Sequence, residues 1–297
     1  MDKSIDPLLH KISLNGVELA YFERGHPTEG KPTLLFVHAT GFHGRIWDCI
    51  AESFPEVHIL SFEQRGHGRS QNVLIDDWSV LGDDLGAFLS SLSLSNVIGI
   101  GHSMGAHSLV DAAAKYGCLS RLVLLDPVIV SPEAYSSLGV DSTGDGHPTA
   151  RRKRHFDSVE EMIERLLPKS SFSLFEPRIL ADYCRYGLLP SINGGYELAC
   201  PPEIEASVYM AGRTNAAIYE SVRSLEIPVM VVRAKYGSAD RVPGDFSTSP
   251  TWPDLASQFK LGKDVYLEDC SHFIPMQKPG LVVDLINEEL VAWGESK

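Results

Sequence analysis

Asn96-Val97-Ile98-Gly99-Ile100-Gly101-His102-Ser103-Met104-Gly105-Ala106 passes from an apolar run, through a Gly-x-Ser-x-Gly turn, into a helix-like run that continues to Tyr116. Glycine two residues before and two after a serine is what a tight strand-to-helix turn needs. The serine is held in a strained backbone conformation with its hydroxyl facing a cleft, and its neighbours must be small for the chain to reverse. The N–H of Met104 then falls at a helix N-terminus, where it can meet a developing negative charge.

Working outward, apolar runs alternate with helical ones. Thr33 to Val37, Val57 to Phe62, Asn96 to Ile100 and Arg121 to Leu125 read as strands. Between the second and third, Ser79 to Leu92 places Val80, Leu81, Leu85, Phe88, Leu89 and Leu92 at helical spacing. Ile12 to Tyr21 reads as a hairpin closed at Asn15-Gly16. Continuous apolar strands separated by helices imply a mostly parallel sheet covered on both faces. After Asp126-Pro127 the alternation stops. Residues 131–224 carry no strong strand, and Ser158 to Leu167, Ile179 to Leu189 and Glu203 to Ser224 read as helices punctuated by prolines. Strand character resumes at Ile227 to Val232. The expected organisation is an α/β core in two parts, 1–130 and 225–297, with a helical insertion at 131–224.

Three further segments fit the serine turn. Thr33 to His38 leads into Ala39-Thr40-Gly41-Phe42-His43-Gly44, Val57 to Phe62 leads into Glu63-Gln64-Arg65-Gly66-His67-Gly68-Arg69-Ser70, and Asp264 to Leu267 precedes Ser271-His272-Phe273-Ile274-Pro275. Together the four motifs, in this order, resemble the α/β-hydrolase superfamily from about Gly16 to Trp293. The resemblance implies a mostly parallel central sheet flanked by helices, with 131–224 as a cap that roofs Ser103 and shapes the pocket. It implies His272 as the general base, since that residue stands between the last strand and the final helix, Pro279 to Trp293. The acid is expected after the strand Val229 to Arg233. There Gly237-Ser238-Ala239-Asp240-Arg241-Val242-Pro243 resembles the family's loop and points to Asp240, although Ala234 stands where glycine is common. Asp126, at the end of the preceding strand, is the alternative, and Asp245 a more distant one.

The oxyanion donors implied by the resemblance are the backbone N–H groups of Thr40 and Met104; Ala39 replaces the more usual glycine. His38 reads as a brace for the oxyanion turn, and Arg65 and His67 as braces of their own loop. Glu63 stands where aspartate is frequent and is assigned no function. Among the aromatic residues that could line an apolar pocket, Phe42 is the candidate, because it flanks the oxyanion turn.

The 297 residues suit one α/β domain with an inserted subdomain, or two domains. A net charge of −13 argues against a nucleic-acid surface and against general attraction to anionic membranes. The five cysteines show no metal-type or framework spacing and read as free thiols of a reducing compartment. Neither a signal-peptide core nor a membrane-spanning run is visible, so the expected location is cytoplasmic. The basic run Arg151-Arg152-Lys153-Arg154-His155 reads as a solvated face or helix entry, with a site for an acidic group as the alternative. No metal or cofactor is expected. The expected function is hydrolysis of a small or medium apolar carboxylic ester by Ser103, His272 and Asp240. Carbon–carbon hydrolysis, lactonase and thioesterase activity use the same groups, and a ligand receptor of this fold is the non-enzymatic alternative. Epoxide hydrolases and dehalogenases need a carboxylate where Ser103 stands.

Overall fold

Side chains two apart on a strand share a face, so a strand that is apolar throughout must be covered on both sides. The computed structural model, which describes residues 6–94, 96–138, 146–169, 171–212, 215–237 and 245–295, shows how that demand is met. Strands β1 (Leu8–Leu14), β2 (Val17–Arg24), β3 (Thr33–Val37), β4 (His58–Glu63), β5 (Val97–His102) and β6 (Arg121–Leu125) precede the insertion. Strands β7 (His155–Phe156), β8 (Leu188–Pro190) and β9 (Tyr196–Leu198) lie within it, and β10 (Val229–Ala234) and β11 (Gly262–Leu267) follow. The main sheet has the order β1-β2-β4-β3-β5-β6-β10-β11. From β4 to β11 every pairing is parallel; only the β1–β2 hairpin and its junction with β4 are antiparallel.

The alternation partitions the core cleanly. Leu34 and Phe36 of β3, Ile98 and Ile100 of β5, and Met230 and Val232 of β10 join one apolar cluster. Their neighbours Leu35, Val37, Val97, Val229 and Val231 join the cluster on the opposite face. The first cluster extends into the insertion through Phe156, Met162, Phe175, Ile179 and Tyr183. The insertion is therefore packed on the core through apolar side chains.

The helices are α1 (Asp48–Ala51), α2 (Ser79–Leu92), α3 (Met104–Tyr116), α4 (Pro132–Leu138), α5 (Val159–Leu166), α6 (Pro177–Tyr186), α7 (Pro202–Ala211), α8 (Ile218–Ser224), α9 (Ile274–Gln277) and α10 (Pro279–Glu295). Ser158 caps α5, accepting the Glu161 N–H at 3.1 Å. The insertion is less purely helical than its sequence suggests. The helical reading of Ile179 to Leu189 stops at Tyr186, and Leu188–Pro190 becomes a strand of a small antiparallel sheet ordered β7-β9-β8. Strands of two or three residues are too short to carry a periodic signal. Helix α7 is tied to the core where Trp78 donates its indole N–H to the Val208 carbonyl at 2.8 Å, beside buried Met104. All five cysteines are free. Among the described residues no helix is long and apolar enough to cross a membrane.

Candidate active site

The serine turn is tight at the atomic level. Ser103 has φ +57° and ψ −116°, a conformation L-residues rarely adopt, between the end of β5 and the start of α3. A Cβ on Gly101 would lie 2.6 Å from the Ala106 nitrogen, and one on Gly105 would lie 2.3 Å from the Val37 carbonyl oxygen. Only glycine lets α3 start this close to β3 and β5. The Ser103 N–H donates to the Leu125 carbonyl at 3.0 Å, pinning the turn to the neighbouring strand end.

His272 comes to Ser103 from the loop after β11. Its Nε2 lies 3.0 Å from Ser103 Oγ. Its backbone is fixed on both sides: the N–H donates to the Phe246 carbonyl at 3.1 Å, and the carbonyl accepts from His102 Nε2 at 2.8 Å. Burial, and then the neighbouring His272, hold the His102 pKa well below the usual histidine range, so this brace is neutral. The Phe246 ring stacks on the imidazole at 5.8 Å.

The third member is Asp126. Its Oδ2 is 2.6 Å from His272 Nδ1. Its Oδ1 accepts from the Ala234 N–H at 2.9 Å and the Ser249 hydroxyl at 2.6 Å, with Thr251 Oγ1 more distant at 3.3 Å. Asp126 is fully buried, and its four lone-pair directions are largely satisfied. This corrects the sequence-based expectation of Asp240 as the partner of His272. Asp240 lies outside the described residues, and the imidazole Nδ1 is taken by the alternative, Asp126. The physical reason is the sheet order: β6 and β10 are adjacent and parallel, so both strand ends open beside His272. Asp245 is engaged elsewhere, accepting from the Ser247 N–H at 2.9 Å.

Thr40 and Met104, the residues expected to supply the oxyanion donors, touch through their side chains. Phe42 donates its N–H to the Ala39 carbonyl at 3.1 Å, closing a turn in which Gly41 takes φ +78°. The Thr40 hydroxyl lies 3.4 Å from Met104 Sδ. His38 holds the base of this turn. Its Nδ1–H donates to the Ala39 carbonyl at 2.8 Å, and its Nε2 accepts the Gln64 N–H at 3.1 Å. Burial lowers its pKa well below the ordinary value, in keeping with one neutral tautomer. Arg65 braces its own loop with a two-pronged ion pair to Asp84, at 2.6 and 2.7 Å. Glu63 is fully buried and ties two loops together, accepting from the Gly44 and Arg69 N–H groups at 3.0 and 2.5 Å.

A cavity of about 170 Å³ opens over Ser103 and His272. Phe42, Phe172, Phe246 and Phe273 supply an aromatic wall, so the sequence-expected Phe42 does face the cavity. The charged lining residues were not legible in the sequence: Arg152, Lys169 and Glu205, all from the insertion, join Tyr209 and Tyr183, whose ring packs on Phe42 and Phe172. Arg152, one of the residues read as a solvated face, is ion-paired with Glu205 and donates to the Tyr183 hydroxyl at 3.3 Å. Burial raises the Glu205 pKa, against the pull of Arg152. The pairing partner of Arg152 lies far along the chain, and no local signal connects them.

Residues 34–285 match the model of the alpha/beta hydrolase family. The chain belongs to the alpha/beta hydrolase family. This hydrolase is similar to Lipase LipV of Mycobacterium tuberculosis, 26% identical over 272 residues, covering 88% of this chain and 94% of that protein. It is also similar to the bifunctional esterase/perhydrolase DCH of Acinetobacter calcoaceticus, 23% identical over 94% of this chain and 96% of that protein. Among solved structures, E-2-(acetamidomethylene)succinate hydrolase superposes with a TM-score of 0.74 at 18% identity, covering 95% of this chain and 98% of that one. The peroxisomal alpha-beta-hydrolase Lpx1 of Saccharomyces cerevisiae gives the same TM-score at 16% identity, covering 98% of this chain and 90% of that one. These two likenesses concern the fold.

Proposed function

We propose that this hydrolase cleaves small carboxylic esters through an acyl-enzyme formed on Ser103. The observation that carries this reading is the relay from Ser103 Oγ to His272 Nε2 at 3.0 Å and from His272 Nδ1 to Asp126 at 2.6 Å, opening into a cavity. A serine hydroxyl is a weak nucleophile at neutral pH and needs a base in contact with it. His272 takes the proton as Oγ attacks the carbonyl, and returns it to the departing alcohol. Asp126 holds the imidazole with its proton on Nδ1 and stabilises the cation that forms. The N–H groups of Thr40 and Met104 receive the oxyanion. Water, activated by the same His272, then releases the acid.

The cavity volume of about 170 Å³ falls below the ~300–1,000 Å³ of pockets for drug-sized ligands. A small acyl group fits that space, and the aromatic wall favours an apolar methylene chain. A panel of 4-nitrophenyl esters tests the reading. Acetate and butyrate should be turned over, decanoate poorly, and Ser103→Ala should lose at least ~10³-fold in kcat. Turnover equal in wild type and Ser103→Ala would overturn it.

A further inference from the structure

The lining of the cavity over Ser103 combines aromatic rings with two cations and one carboxylate: Arg152, Lys169 and Glu205. Arg152 and Glu205 are in direct contact and neutralise each other. Lys169 is differently placed. Among the described residues its ammonium has no hydrogen-bond or ion-pair partner, while Arg152 and Arg165 stand near it. Lys169 is exposed; partial desolvation, and then those two guanidiniums, lower its pKa from the ordinary lysine value. A cation set beside other cations is unfavourable by Coulomb's law. The chain has 39 acidic residues against 26 Lys and Arg, so the lack of a counter-ion here is not a shortage of carboxylates. The net charge of these three residues is one positive, and Lys169 is a solvent-exposed residue on the lining of the cavity that holds the nucleophile.

We propose that the substrate supplies the missing anion: it is a half-ester of a small dicarboxylic acid, whose free carboxylate is received by Lys169. This rests on Ser103 as the nucleophile acting on an ester. The methylene chain between the two carbonyl carbons lies along the aromatic wall of Phe172, Phe246 and Phe273. The carboxylate replaces solvent at the ammonium, and the Arg152–Glu205 pair stays intact behind it. One unneutralised cation matches one carboxylate. The small cavity limits the chain between the two ends to a few methylenes.

The test compares monomethyl glutarate with methyl pentanoate, which differ only in a carboxylate against a methyl group, by pH-stat hydrolysis. The readout is the ratio of kcat/KM for the half-ester over the neutral ester. In wild type the ratio should exceed one, and it should fall toward one as salt rises from about 0.02 to 0.5 M, because the contact is partly solvated. Lys169→Glu should lower the ratio at least tenfold and Lys169→Gln about threefold. Arg152→Gln is a poorer variant, because it leaves Glu205 buried without its partner. A ratio below one in wild type, or within twofold of wild type in Lys169→Glu, overturns the proposal. A failure of the ester chemistry is separated by a second measurement, calorimetric titration of Ser103→Ala with monomethyl glutarate. Binding weakened at least tenfold by adding Lys169→Glu supports the proposal even without turnover. Equal binding in both backgrounds, or none in Ser103→Ala, overturns it.

Discussion

Replacing Asp126 by asparagine changes one atom, and the surroundings decide which way the new amide must point. The Oδ1 position faces the Ala234 N–H at 2.9 Å, a backbone donor that cannot reverse its role. The Ser249 hydroxyl at 2.6 Å can rotate, but the amide hydrogen cannot. The asparagine oxygen is therefore held at the Oδ1 site, and its NH₂ is directed at His272 Nδ1. To accept that hydrogen, the imidazole must carry its own proton on Nε2, which removes the lone pair that Ser103 Oγ needs at 3.0 Å. The wrong tautomer in a comparable triad costs ~10⁴ in kcat, which is about 5 kcal/mol of transition-state stabilisation. The assay is hydrolysis of 4-nitrophenyl acetate by Asp126→Asn and by Asp240→Asn, with a thermal melt of each. The expected outcome is a loss near ~10⁴ for Asp126→Asn with a retained cooperative melt, and activity within about tenfold of wild type for Asp240→Asn. The reasoning is refuted if folded Asp126→Asn stays within about tenfold of wild type, or if Asp240→Asn is the crippled variant.

Gly105→Ala should lower stability by ~1–3 kcal/mol or more, the scale of overpacking, because its Cβ would fall 2.3 Å from the Val37 oxygen; an unchanged urea midpoint would show that the turn has slack. Phe172→Ala, in the aromatic wall, should shift the relative kcat/KM of short and long acyl esters by ~1–3 kcal/mol; an unchanged chain-length profile would place specificity elsewhere. Acid should destabilise the fold. Burial depresses His43 and His107 to about 3 and His67 to about 4, so these groups take protons only on unfolding. The unfolded chain then binds more protons than the native one as pH drops below ~6.5, and stability falls progressively down to about pH 4. The raised pKa values of buried Glu63 and Glu205 offset part of this, because they favour proton uptake by the folded state. The melting temperature should therefore drop between about pH 7.5 and 5.5; a flat or rising profile would contradict neutral buried histidines.

The parts of this molecule that were legible in its sequence are those governed by short-range sterics and by period. Gly101 and Gly105 announce the serine turn because no other residue fits their contacts, and Ser79–Leu92 shows as a helix because its apolar face repeats at helical spacing. The parts that were not legible depend on which strand ends lie side by side. Asp126 and Asp240 stand after adjacent parallel strands, and the linear chain does not say which of them reaches His272. Its decisive partners, Ser249 and Thr251, are more than a hundred residues from Asp126. The charged lining of the cavity was hidden for the same reason. Arg152 stands in a basic run that resembles a solvated face until Glu205 and Tyr183 are folded against it.

The central claim is that Ser103 is the nucleophile. Incubation with a fluorophosphonate, followed by digestion and mass-spectrometric mapping, tests it most directly, because the reagent traps a serine only where a base and an oxyanion site act on it together. One adduct per chain is expected, on Ser103, absent from Ser103→Ala and formed far more slowly in Asp126→Asn. An adduct on another serine, or none on folded wild-type protein, would contradict it.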